Sequence, residues 1–283
     1  MFTLNPEDFK QAIQAIEALG STPAVLVKVA ELASDPNKDL DDISLVLRND
    51  GPLAADIIRI SNSPYYGPPT LHSNLNSAIN YIGLREVTRV VTLSLARQLF
   101  ARDLTSYGIL AMDYWSDSVA TALLMEALAK PAGLNPEDAY TLGILHAIGR
   151  VLINRVIDDT GFTIYWDGRE AIEEWERKAV GFDFAEAGAL LLEHWQFPAP
   201  MCEVIRGQLL VEPSADPATQ LGALQFSRRL LGFTGLNLEN TDWQLPAADP
   251  FVQAAHLTPE LVTQIVADCR EDFQNIRQTV DLK

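Results

Sequence analysis

The chain has 283 residues, 48% of them apolar and 21% charged, a balance that excludes an intrinsically disordered protein and supplies side-chain area for one large or two ordinary cores. Its 38 acidic side chains outnumber 21 basic ones, and the resulting charge of -17 repels phosphate backbones and anionic lipid surfaces alike, which argues against direct nucleic-acid binding. No apolar run approaches the roughly 20 residues a membrane span needs, and Glu7 and Asp8 stand where a secretory leader carries positive charge, so a cytoplasmic protein is expected.

Apolar residues recur at three- and four-residue spacing through nearly every long segment, with no alternating β-branched runs, so the sequence predicts an all-α fold of two helical lobes. The first helix runs from Ala24 to Ala33 with Val25, Val29 and Leu32 on one face, and stops at Ser34-Asp35-Pro36-Asn37. Asp39 caps the next, whose buried side takes Ile43, Leu45, Val46 and Leu47. Pro52 suits the first turn of a third helix that continues from Leu53 to Ile60. The Pro- and Gly-rich stretch Ser61 to Pro69 is a loop carrying Asn62, Tyr65 and Tyr66, with one tyrosine expected to plug the lobe and the other to lie at the surface. A short helix Ala78 to Ile82 ends at Gly83, suited to a left-handed conformation, before a long helix from Leu84 to Phe100.

The polar stretch Arg102 to Tyr107, followed by Gly108, marks a lobe boundary, giving residues 1–108 and 109–283. Helices then follow over Asp113–Lys130, Pro136–Val156, Arg169–Val180, Asp183–Trp195, Ala199–Leu210 and Pro217–Leu231. Gly232 to His256 reads as irregular, ahead of a terminal helix from Pro259 to about Val280 capped by Thr258. Arg228-Arg229, Asp41-Asp42, Asp158-Asp159 and Glu173-Glu174 read as solvated charge. Cys202 and Cys269, far apart in sequence, read as small apolar helix residues. No phosphate-binding glycine loop and no nucleophile elbow is present, so no cofactor is implied.

One set of motifs stands out: Arg59-Ile60-Ser61-Asn62-Ser63-Pro64-Tyr65-Tyr66-Gly67, Ser77-Ala78-Ile79, Ile82-Gly83-Leu84, Gly143-Ile144-Leu145-His146-Ala147-Ile148-Gly149-Arg150 and Gly181-Phe182-Asp183-Phe184. Together they resemble the HDOD family over residues 15 to 235. That family is similar to HD-type phosphohydrolases, which hold a divalent metal with a His, a His-Asp pair and further His or Asp residues, and the resemblance allows each such position to be compared. Asp117 stands where the first His would be. His146 is kept, but Ala147 replaces the carboxylate of the His-Asp pair. Phe184 takes the place of a further His, and Gly207-Gln208 the place of a His pair. A catalytic metal normally needs at least three protein ligands, so the resemblance implies a degenerate pocket with His146 and Asp117 as polar remnants.

The function expected from the resemblance is a non-catalytic regulator in signal transduction that binds a partner protein or a small ligand. A residual metal-dependent phosphohydrolase using Asp117 and His146 is the alternative. A third possibility makes the loop bearing Asn62, Tyr65 and Tyr66 an interaction surface. His72, His194 and His256 are isolated and read as structural.

Overall fold

The computed structural model describes residues 11–14, 23–34, 40–161, 164–210, 218–231 and 249–279. Among these every regular element is helical, and the lone extended pairing is a bridge between Leu104 and Ile109. Helix α1 (Pro23–Ser34) buries Leu26, Val29 and Leu32. In α2 (Leu40–Leu47), Ile43 and Leu47, one turn apart, are buried, whereas Leu45 is 64% exposed. Two residues are about 200° of helical rotation, so Leu45 could not share their face, contrary to the sequence expectation. The proposed cap at Asp39 lies outside the described residues.

Helix α3 (Gly51–Ser61) begins with Asp50 accepting from the Leu53 N–H at 3.0 Å and with Pro52 in its first turn. Helix α4 (Leu75–Leu99) is capped by Asn74 and bent at Gly83, whose φ of 81° breaks the spiral where the sequence placed the end of a short helix. All three preceding helices pack on α4. Beyond it, a 3₁₀ turn at Thr105–Tyr107 is stapled to later elements: the Ser106 N–H donates to Asn154, and the Tyr107 hydroxyl to Glu176.

Helix α5 (Ala111–Ala129) is buried along most of its length, and α6 (Pro136–Leu145) lies closely against it. A Cβ at Gly143 would stand 2.4 Å from the Ala122 Cα, so the approach of these helices requires glycine there. Helix α7 (Gly149–Thr160) follows, then α8 (Ile172–Val180), α9 (Phe184–His194) and α10 (Ala199–Gly207). Gly149 makes the α7–α9 crossing possible in the same way, since a Cβ would fall 2.0 Å from the Phe184 carbonyl oxygen. Helix α11 (Gln220–Leu231) covers α5, as does α13 (Pro259–Thr279), where the rings of Trp115 and Phe273 lie 6.4 Å apart. Thr258 accepts from the Leu261 N–H as its cap.

Two expected segments differ. Residues 249–256 are not irregular: Asp249 caps a short helix, α12 (Pro250–Ala254), with Pro in its first turn, while 232–248 lie outside the described residues. The single helix expected over Pro136–Val156 is two, broken at 146–148. Here side chains compete for the carbonyls that would continue the ladder. The Gly143 oxygen accepts from His146 Nδ1 at 2.8 Å and the His146 oxygen from Gln208 Nε2 at 2.7 Å. The Ala147 oxygen accepts from the Tyr114 hydroxyl and from the Arg150 N–H, an i→i+3 bond of 3₁₀ type.

Candidate functional site

The broken turn positions the site. His146 follows the last residue of α6 and is 3% exposed; because a carbonyl can only accept, its Nδ1 carries the proton donated to Gly143. Nε2 is thereby aimed at Asp117 of α5, whose Oδ2 is 3.6 Å away. Burial alone would raise the Asp117 carboxyl, but the hydrogen bond and charge of His146, followed by Arg150 and Arg228, outweigh it and hold the group below the usual carboxylate range.

The other resemblance-derived positions do not add donors to this pair. Ala147 is fully buried with its carbonyl engaged by Tyr114. Phe184 is fully buried at the start of α9. Gly207, buried in α10, brings Leu221 to within 3.2 Å of where a Cβ would be. Gln208 turns its amide nitrogen to His146 and Ile205 carbonyls, leaving Oε1 buried without a partner. Among the described residues no three His, Cys, Asp or Glu side chains converge as a metal site would require. The two donors present therefore do not fit the catalytic metal of HD phosphohydrolases.

What the sequence missed is basic. A cavity of about 560 Å³ opens beside the pair, and Arg150, Arg177, Arg228 and Arg229 all reach its wall. Arg177 is paired with Asp183 and Arg229 with Asp249. Arg150 and Arg228 instead sit on the Phe184 ring, with guanidinium carbons 4.3 and 5.3 Å from its centroid. The reading of Arg228 as solvated charge is thus corrected: it follows the buried Leu224 by one turn and so inherits a buried face. Burial, then the charge of Arg150, brings Arg228 down to about 10. Glu173 and Glu174, also read as solvated, line the same cavity.

Beneath Arg150 lies Glu176, fully buried. Its Oε1 accepts from the Tyr107 hydroxyl at 2.9 Å and its Oε2 from the Phe184 N–H at 2.8 Å, while Arg150 Nε stands 4.0 Å off. Burial pushes its carboxyl up to about 7 against these three stabilising contacts. One signal was available in sequence: Glu176 falls on the stripe of Ile172, Trp175 and Val180, an acid where the helix is otherwise apolar.

The loop after α3 is held from within. Asn62 bonds the His72 backbone twice, its oxygen accepting at 2.7 Å and its nitrogen donating at 2.8 Å. The partly buried Tyr66 donates to Glu86 at 2.7 Å, and Tyr65, 40% exposed, meets its ring edge-on. His72 stacks near Tyr81, while His194 and His256 lie away from the cavity wall.

Comparison with known proteins agrees with this architecture. A sequence profile of the HDOD domain matches residues 19–209. An uncharacterised protein of Treponema pallidum (strain Nichols) is 24% identical over 199 residues, 68% of this chain but only 37% of that protein, so the chain spans little more than a third of the relative's length. An HDOD domain protein of unknown function from Geobacter sulfurreducens superposes with a TM-score of 0.66 at 20% identity, covering 98% of this chain and 99% of its own. A Shewanella amazonensis SB2B protein given a provisional phosphohydrolase name reaches 0.63 at 21% identity, covering 96% and 98%. A Marinobacter aquaeolei VT8 protein, provisionally named for signal transduction, reaches 0.66 at 19% identity, over 96% of this chain and 64% of that one. At these identities the structural likeness establishes the fold.

Proposed function

Because the chain belongs to the HDOD domain family, we propose that it is a regulatory binding module in signal transduction whose HD-like pocket performs no hydrolysis. The observation that carries this reading is the donor set around the Asp117–His146 pair: Nδ1 donates to a carbonyl, Nε2 faces a carboxylate 3.6 Å away, and the remaining ligand positions are an alanine, a phenylalanine ring, a glycine and an amide already bonded to backbone. A water nucleophile would have no Lewis acid to lower its pKa. Regulation then proceeds by binding alone, with the cavity lined by Arg150 and Arg228 as the small-ligand site and Tyr65 as the exposed aromatic for a protein partner. In this proposal residues 1–108 and 109–283 act as two lobes joined through the stapled turn at Thr105–Tyr107.

Elemental analysis of protein purified without chelator, with a phosphodiesterase assay in added Mn²⁺, tests the reading. Substoichiometric metal and no turnover are expected. Stoichiometric metal together with turnover that disappears in His146→Ala would overturn it in favour of a residual phosphohydrolase.

A further inference from the structure

Among the four arginines of the cavity wall, Arg150 and Arg228 differ from the other two in donating to no carboxylate at hydrogen-bond distance. The Glu176 oxygen nearest Arg150 is 4.0 Å away and already accepts from Tyr107, and Arg150 Nε is buried with no hydrogen-bond partner. Arg228 has one backbone acceptor, the Gln208 carbonyl at 3.3 Å. Both guanidinium groups are drawn to the same phenyl ring and so are held near each other, where their like charges repel. Asp117 in the same wall acts on both arginines, but its single negative charge also faces His146 and does not balance two guanidinium groups.

Such a pair is stable in a protein of net charge -17 because the overall field favours cations, but locally it leaves donor forks unfilled. We propose, on the premise of the metal-free reading above, that the cavity binds a small molecule bearing a doubly charged phosphoryl group, clamped between Arg150 and Arg228. A dianion cancels both guanidinium charges at once and offers three oxygens to their planar forks, whereas a single carboxylate would leave one fork unanswered. Phe184, fully buried, offers both guanidinium groups an aromatic face to rest on. The cavity's 560 Å³ suits a ligand of nucleotide size, and Glu173 and Glu174 in the same wall are acceptors for hydroxyl groups on its uncharged body. The arginines thus supply at this position the positive charge that a metal would otherwise bring.

Isothermal titration of the full chain at pH 7 in EDTA tests this with inorganic phosphate, adenosine 5′-monophosphate and adenosine. Phosphate and the monophosphate are expected to bind and adenosine to be silent; tighter binding of the monophosphate than of phosphate identifies a phosphoester as the source of the anion, and equal binding identifies free phosphate. Arg150→Gln and Arg228→Gln should each weaken binding at least ~10-fold, as loss of a charge-assisted fork implies. Arg169→Gln, at an exposed arginine outside the cavity, should change nothing. Arg228→Lys keeps the charge if the glutamine variant does not fold, and should still lose most of the affinity through the missing fork. Absence of phosphate and monophosphate binding at millimolar concentration, or binding indifferent to all Arg150 and Arg228 variants, overturns the proposal. Binding that appears only when EDTA is replaced by Mn²⁺ overturns the metal-free premise instead, which separates the two failures.

Discussion

Replacing Glu176 with glutamine should change how stability depends on pH. The folded carboxyl titrates near 7 because it is buried, while in the unfolded chain it returns to an ordinary 4.5. Between those values the native state holds a proton that the unfolded state has released, so stability falls as pH rises through this window and stays lower above it. At about 1.4 kcal/mol per pH unit, the gap corresponds to at most ~3 kcal/mol between pH 4.5 and 7. Arg150, the Phe184 N–H and the Tyr107 hydroxyl already oppose burial in setting the value of 7, so they are not added again. Urea unfolding of wild type and Glu176→Gln at pH 5 and pH 8 measures the effect. The loss of stability across that range should be smaller in the glutamine variant by about 2–3 kcal/mol. The charge of -17 makes both proteins less stable at high pH, and taking the difference between them removes that shared term. Parallel pH profiles for the two proteins would refute the assignment of a buried, up-shifted carboxyl.

Three further outcomes follow from the packing and hydrogen bonds. Gly149→Ala forces a methyl against the Phe184 carbonyl, where contact would be 2.0 Å, and should cost about 3 kcal/mol or more in denaturant unfolding, with the α7–α9 crossing displaced. Gln208→Leu leaves the His146 and Ile205 carbonyls without their side-chain donor and should destabilise by about 1–3 kcal/mol, seen as a lower midpoint with an unchanged m-value. Asn62→Ala removes both bonds to the His72 backbone; about 1–2 kcal/mol should be lost, and amide exchange should quicken at His72, whose N–H is one of the two.

The helical fold was legible because its punctuation is local. Pro52 and Pro136 stand in the first turns of their helices, Thr258 caps the terminal one, and Gly83 takes the positive-φ conformation its position suggested. The errors arose where a distant side chain overrides a local pattern. Periodicity across Pro136–Val156 is continuous, but Tyr114 and Gln208, remote in sequence, take the carbonyls that would carry the helix through 146–148. Asp249-Pro250, by contrast, was a visible helix start hidden by the weak periodicity before it. Within the site, His146 and Asp117 came from comparing motif positions, and they do stand together. Arg228 and Glu176 belong to no such motif; each is recognised only when its helix is turned so that a charged residue points inward.

Three near-adjacent residues of the Ala111–Ala129 helix grip two different neighbours. Tyr114 holds the backbone at Ala147, Trp115 meets Phe273 of the terminal helix, and Asp117 faces His146 in the cavity wall. Tyr114 and Asp117, nearly one turn apart, share a face and hold the same broken turn, while Trp115, about 100° round the helix, holds the terminal helix, so rotation of this helix about its axis would strain both attachments together. The helix therefore ties the broken turn in the cavity wall to the terminal helix through one continuous element.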